Sequence, residues 1–150
     1  MGPKHHVKLT VPAVSDYIAV VRLAIAGVAA RMNFSVDEIE DIKVAVSEAC
    51  TNVVRHAYQV EPHSKVTGEI EIECLIEQDE ITIVIVDKGQ GFDTKNIVSP
   101  SQTGDSPIGL GLGLTFIRSL MDSVDIKSSP GHGCSIVMTK KLIATNTSLA

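Results

Sequence analysis

Apolar residues recur along this chain with two different periods, and the switches between them divide it into elements. Val7 to Val11 (VKLTV) alternates apolar and polar residues and stops at Pro12, the pattern of a short edge strand, since proline cannot donate to a ladder. Ser15 then predicts an N-cap. Tyr17, Val20, Val21, Ala24, Ile25 and Val28 recur at helical spacing within Asp16 to Arg31, with Asn33 as a stop. Ser35 followed by Glu38 is a capping-box pattern that opens a second helix, whose apolar face runs Ile39, Ile42, Val46, Ala49 and Val53 and whose end falls near Tyr58. After the polar stretch Gln59 to Thr67 come two strands: Glu69 to Ile76, alternating, and Ile81 to Val86, apolar and β-branched, with Gln78 and Asp79 in the turn between them. Leu114 to Met121 is helical in pattern and Val124 to Ser128 a strand. Ser129 to Gly133 (SPGHG) is a turn, Cys134 to Leu142 a last strand, and the tail after Ile143 frays.

Strands interleaved with two or three helices predict an α/β (α+β) two-layer sandwich with the helices on one sheet face. A chain of 150 residues, 44% hydrophobic, suits a single domain over 1–150 with its core from Val7 to Leu142. The run Asp87 to Ile108 is rich in Gly, Pro, Ser and Thr and is too long for a plain connection, which predicts a functional lid. Thirteen Lys plus Arg against eighteen Asp plus Glu give a net charge of −5, the wrong sign for a nucleic-acid partner. Cys50, Cys74 and Cys134 are odd in number and lack C-x-x-C spacing, which argues against zinc and disulfides and for a reducing cytoplasm. No apolar run approaches the roughly 18 residues of a membrane span or resembles a signal peptide, so neither membrane nor export is expected.

Three patterns could carry chemistry. Glu48, Asn52 and His56 are four apart and share a helix face opposite the apolar stripe; spacing alone fits a solvated face better than a site. Asp87 ends an apolar strand and is followed by Gly89 and Gly91 in DKGQG, so that its carboxylate is placed to accept from an exocyclic amine, although D-x-G also makes ordinary turns. Gly109, Gly111 and Gly113 lead directly into a helix, where backbone N–H groups can face an anion; a hinge with packing glycines is the alternative. Neither a Walker A loop nor the dinucleotide fingerprint is present.

The order of these patterns is more specific than any one of them. It resembles the ATPase/kinase superfamily of gyrase, Hsp90, histidine kinases and MutL (GHKL, with the Bergerat fold), Glu48 to Asn52 matching its N-box, and Asp87 to Gly91 and Gly109 to Gly113 its glycine boxes. Within that superfamily, VSEACTNVVRHAY (Val46 to Tyr58) and LMDSVDIKSSPGHG (Leu120 to Gly133) resemble the anti-sigma-factor serine/threonine-protein kinases of Gram-positive bacteria, the RsbW type. VVRLAIAGVAARM (Val20 to Met32) echoes the first helix of the general-stress sigma-B branch. The likeness extends over Val7 to Leu142. It implies a mixed, mostly antiparallel sheet, with ATP and Mg²⁺ as cofactors. It further implies Glu48 as the base, Asn52 as the Mg²⁺ ligand, Asp87 as the adenine reader, and Gly89, Gly91, Gly109, Gly111 and Gly113 around the nucleotide.

The same resemblance implies a sigma factor held inactive, an anti-anti-sigma factor whose serine accepts the phosphate, Arg22 in partner contact, and a homodimer. Two departures stand out. Many relatives have Thr after the last glycine, where this chain has Cys134, with Ser135 or water as the substitute. Between Gly89 and Leu110, Lys95 is the only cation in the lid. Two competitors remain: a histidine-kinase catalytic domain, whose phosphoacceptor hairpin does not fit in 150 residues, and a nucleotide-gated binding module without phosphotransfer.

Overall fold

Alternation of large aliphatic residues with polar or smaller ones gives each central strand one face to bury. In a computed structural model that describes residues 5–58, 68–89 and 108–143, with side chains from 113 onward in the last segment, five strands realise this pattern. They are β1 (His5–Pro12), β2 (Glu69–Ile76), β3 (Glu80–Asp87), β4 (Ser123–Ser128) and β5 (Cys134–Lys141), joined in the order β1-β2-β3-β5-β4. Register is set through Leu9↔Ile72, Ile72↔Ile85, Ile85↔Ile136 and Ile126↔Ile136. β1 lies at an edge, as its terminal proline requires.

Among the described residues every ladder is antiparallel, in line with the expected two-layer fold on a mostly antiparallel sheet. Among the described residues one helix lies between β3 and β4 in the chain, and these two strands run in the same direction. The β4–β5 hairpin then places β5 between them, where it pairs antiparallel with both.

Three helices, α1 (Ile18–Ala30), α2 (Val36–Asn52) and α3 (Ile108–Leu120), cover one face of this sheet. Ile70, Ile72, Ile81, Ile83, Ile85, Ile136 and Met138 are buried from the sheet side, against Val21, Ile25, Ile42, Val46, Leu114 and Ile117 from the helices. Each such side chain stabilises the fold by roughly 1.5–3 kcal/mol through burial. Among the described residues no helix is long and apolar enough to cross a membrane.

Local signals held at one helix start and failed at two. The box at α2 is complete: Glu38 N–H donates to Ser35 Oγ at 3.1 Å and Ser35 N–H to Glu38 Oε1 at 2.9 Å. Ser35→Ala is expected to lower the unfolding free energy by about 1 kcal/mol, read as a lower urea midpoint at unchanged slope. Ser15, by contrast, caps nothing. Ser15–Tyr17 form a 3-10 turn in which Tyr17 N–H donates to the Val14 carbonyl at 3.0 Å, and α1 starts at Ile18 without a side-chain cap. Backbone bonding supplies what a side chain would otherwise provide.

The third helix starts at Ile108, six residues before the sequence pattern places it, so Gly109, Gly111 and Gly113 lie within it and not in a preceding loop. Glycine costs about 1 kcal/mol per helical position, which makes a loop the natural reading of the sequence. Packing reverses this, because Leu114 and Ile117 must reach the core from one helix face and Gly113 lets α3 lie directly on α2. Gly91 and Lys95, and the remainder of the lid as far as residue 107, are outside the described residues.

Candidate functional site

β3 buries Ile81, Ile83 and Ile85, and the same period of two carries Asp87 onto the helix-covered face, where it is only 5% exposed. Its Oδ1 accepts from Gly89 N–H at 2.9 Å, and the Cys134 N–H lies near enough to favour the charged form. Burial pushes the Asp87 pKa above its ordinary value, and these two N–H groups pull the other way. A carboxylate has about four lone-pair sites, so acceptor capacity remains for a ligand amine.

Two close backbone approaches hold this group in place. A Cβ on Gly133, whose φ is +76°, would lie 2.3 Å from the Asp87 carbonyl oxygen. A Cβ on Gly89 would lie 2.1 Å from the Ala57 carbonyl oxygen. A cavity of about 430 Å³ opens beside Asp87, lined also by Ser128, His132, Gly133 and Cys134, and is of a size to take a small molecule.

Cys134 is the register partner of Asp87 and shares its face. Burial, then the Asp87 charge, pushes its thiol up to about 11, with a Ser128 hydrogen bond acting in the opposite sense. The group beside the carboxylate is therefore a neutral, weakly donating thiol. Ser135, named from the sequence as the substitute hydroxyl, pairs with Val86 and lines the same cavity as Asp87. Ser128, the register partner of Cys134, lines it too and donates to the Gly133 carbonyl at 3.0 Å. Sequence reasoning missed it. The length of the SPGHG turn, which sets the β4–β5 register, is the signal that would have found it.

Asn52, the last residue of α2, is 6% exposed, so it does not lie on a solvated helix face. Helix α3 covers it: a Cβ on Gly113 would sit 3.1 Å from Asn52 Nδ2 and 3.3 Å from Oδ1. Nδ2 is buried and has no hydrogen-bond partner among the described residues. An unsatisfied buried polar atom costs about 1–3 kcal/mol, which marks it as a group kept for something other than stability. Glu48 lies one turn earlier on α2 and is half-buried.

His56 lies past the end of α2, within a π turn over Val53–Ala57, and is half-buried. Burial, and secondarily Arg55, lowers the His56 pKa. Gly109 is in the first turn of α3, where N–H groups lack intrahelical acceptors, whereas Gly113 lies in the second turn against Asn52. Arg22 is exposed on α1, close enough to α2 that its charge, after Lys43, helps hold the Glu40 carboxyl below its ordinary range.

Comparison with known proteins agrees with this geometry. The histidine kinase-like ATPase domain family matches residues 11–140. The serine-protein kinase RsbW of Bacillus subtilis (strain 168) is 38% identical over 143 residues, covering 91% of this chain and 86% of its own. The protein of the same name from Bacillus cereus (strain Q1) is 40% identical over 140 residues, covering 89% and 83%. Among solved structures, the RsbU and RsbW domains of a Mycobacterium tuberculosis protein superpose with a TM-score of 0.65 at 21% identity, over 93% of this chain and 32% of that longer one. A histidine kinase domain from Erythrobacter litoralis gives a TM-score of 0.57 at 18% identity, over 88% of this chain and 62% of its own. These two likenesses establish the shared fold.

Proposed function

Because the chain belongs to the RsbW serine-protein kinase family of histidine kinase-like ATPases, we propose that it sequesters a sigma-B-like sigma factor and phosphorylates a serine of that factor's anti-anti-sigma antagonist. It is an ATP-dependent protein kinase. The observation that supports the placement of its site is Asn52, a buried carboxamide with an unpartnered end, on the helix that carries Glu48 and beneath the helix that carries Gly109, Gly111 and Gly113.

These residues fit Mg-ATP. Among the described residues no cluster of three His, Cys, Asp or Glu is assembled to hold a metal, and Mg²⁺ characteristically needs only one or two protein oxygens in addition to substrate phosphates and water. Asn52, its amide turned to present Oδ1, would hold the cation. Bound Mg-ATP supplies the γ-phosphoryl group, with the metal offsetting charge on the triphosphate. Asp87 accepts from the adenine amine. The first-turn N–H groups of α3, that of Gly109 among them, lie at a positive helix end suited to phosphate, with Gly111 close behind. Glu48 orients the incoming serine hydroxyl and takes its proton on the carboxylate.

Net charge gives a reason for release of the product. A phosphoserine adds about −1.5 to −2 charges, and the chain that must let it go carries −5. Arg22 serves partner contact, the active unit is a homodimer, and the single domain works in the cytoplasm; all three are part of this proposal.

The test is direct. The purified chain, labelled ATP and Mg²⁺ are mixed with a candidate anti-anti-sigma protein and with its acceptor Ser→Ala variant. Label on the first and none on the second is expected. Nucleotide-dependent capture without label on either would mean a binding module and not a kinase.

A further inference from the structure

The chain leaves α2 through its π turn and arrives at Tyr58, to which the sequence pattern assigned nothing beyond a helix end. Tyr58 Oη donates to the Glu69 carbonyl at 2.8 Å and accepts from Lys88 N–H at 2.8 Å. The β2–β3 ladder runs as far as Ile70↔Asp87, and the next residues in register are Glu69 and Lys88. The phenol hydroxyl thus stands between the backbone groups that would otherwise extend the ladder. It ends the pairing one residue past Asp87.

Its surroundings fix the hydroxyl there. A Cβ on Gly68 would lie 2.1 Å from the Tyr58 ring carbon Cζ, so the ring rests directly on that glycine. Ala57, one residue earlier, touches Gly89, whose N–H holds Asp87 Oδ1. Burial pushes the phenol pKa up, which keeps the proton on Oη and preserves both its donor and its acceptor bond at neutral pH. Tyr58 faces a separate cavity of about 210 Å³ lined also by Gly68, Glu69 and Lys88, so it acts on the Asp87 pocket from behind.

We infer that Tyr58 is a positioning residue for base recognition: by holding Lys88 N–H and ending the ladder, its hydroxyl sets the Asp87 carboxylate at the angle that accepts an adenine amine. This rests on the assignment of Asp87 to that amine. Without the hydroxyl, Glu69 and Lys88 are free to pair directly, which draws the backbone at Asp87 toward β2 and turns the carboxylate.

The test compares two nucleotides, ATP and purine riboside triphosphate, which lacks the 6-amino group. Tyr58→Phe keeps the ring over Gly68 and removes only the hydroxyl. It should weaken ATP roughly 10-fold, the value of a misaligned hydrogen bond to a charged group, and leave the amine-free nucleotide within about twofold. The preference of the wild type for ATP should therefore collapse. Equal weakening of both nucleotides, or of neither, would overturn the inference while leaving Asp87 as the reader. No preference in the wild type would overturn both. If Tyr58→Phe does not fold, a fluorinated tyrosine at position 58, a poorer acceptor with the ring and hydroxyl retained, should lower the same preference; an unchanged ratio would count against the role.

Discussion

Asp87→Asn is expected to weaken ATP binding by about 10²–10³-fold and to leave the nucleotide-free protein at least as stable as the wild type. Two donors converge on this side chain: Gly89 N–H and, in the proposed complex, the adenine amine. A carboxylate accepts at both oxygens. An amide accepts at one end and donates at the other, so whichever way the substituted carboxamide turned, one donor would face another. The lost charge-assisted bond and the opposed donors together account for roughly 3–4 kcal/mol.

Stability should move the other way, and with pH. Burial raises the folded pKa of Asp87 above its ordinary 3.8, so the native state prefers the protonated acid. That preference contributes stability that is fully present below the ordinary value and is lost as pH rises through the raised one. At neutral pH the wild type therefore carries a buried charge that the Asp87→Asn variant lacks. The melting temperature of the variant relative to wild type should be highest near pH 7 and should decline as the solution is taken down toward pH 4. Calorimetry of both proteins without nucleotide measures this. A variant that is destabilised at pH 7 and gains ground on acidification would contradict the proposed cost of the charge.

Asn52→Ala and Glu48→Gln should separate binding from transfer although the two residues lie one turn apart. Loss of the carboxamide is expected to abolish magnesium-dependent ATP binding, with no fall in the stability of the nucleotide-free chain beyond that of a small cavity, because the Nδ2 atom it removes is unsatisfied. Loss of the Glu48 charge should leave the Kd for Mg-ATP within about twofold and cut serine phosphorylation by about 10²–10⁴-fold, the usual range for a general base. Titration calorimetry with and without Mg²⁺, alongside single-turnover transfer, distinguishes the two. Full transfer by Glu48→Gln would remove it as the base, and equal Mg-ATP affinity in Asn52→Ala would remove the metal assignment.

Much of this site can be anticipated from local rules. Alternation through Ile81, Ile83 and Ile85 forces Asp87 onto the covered face, since side chains on a strand have a period of two. The Ser35–Glu38 box starts α2 in the right register, and that register places Glu48 and Asn52 one turn apart. The glycines of DKG and SPGHG flag tight backbone approaches, and the structure supplies the atoms they approach: Ala57 for Gly89 and Asp87 itself for Gly133.

What local rules missed depends on contacts distant in the chain. Nothing near Gly109 says that a helix starts before it; burial of Leu114 and Ile117 decides that. Asn52 looks like a solvent-facing amide until α3 lies over it, and the π turn that follows brings Ala57 and Tyr58 against the strand ends at Gly89 and Gly68. Ser128 joins Ser135 in lining the cavity beside Asp87 because of the β3–β5–β4 register, a long-range pairing. Sequence by itself determined which residues are capable of the chemistry and which face of each strand they occupy, since those follow from side-chain type and a short repeat. Only the tertiary structure decided which of them meet, because burial and the free energy of an unpaired polar group depend on what another segment of chain brings against them.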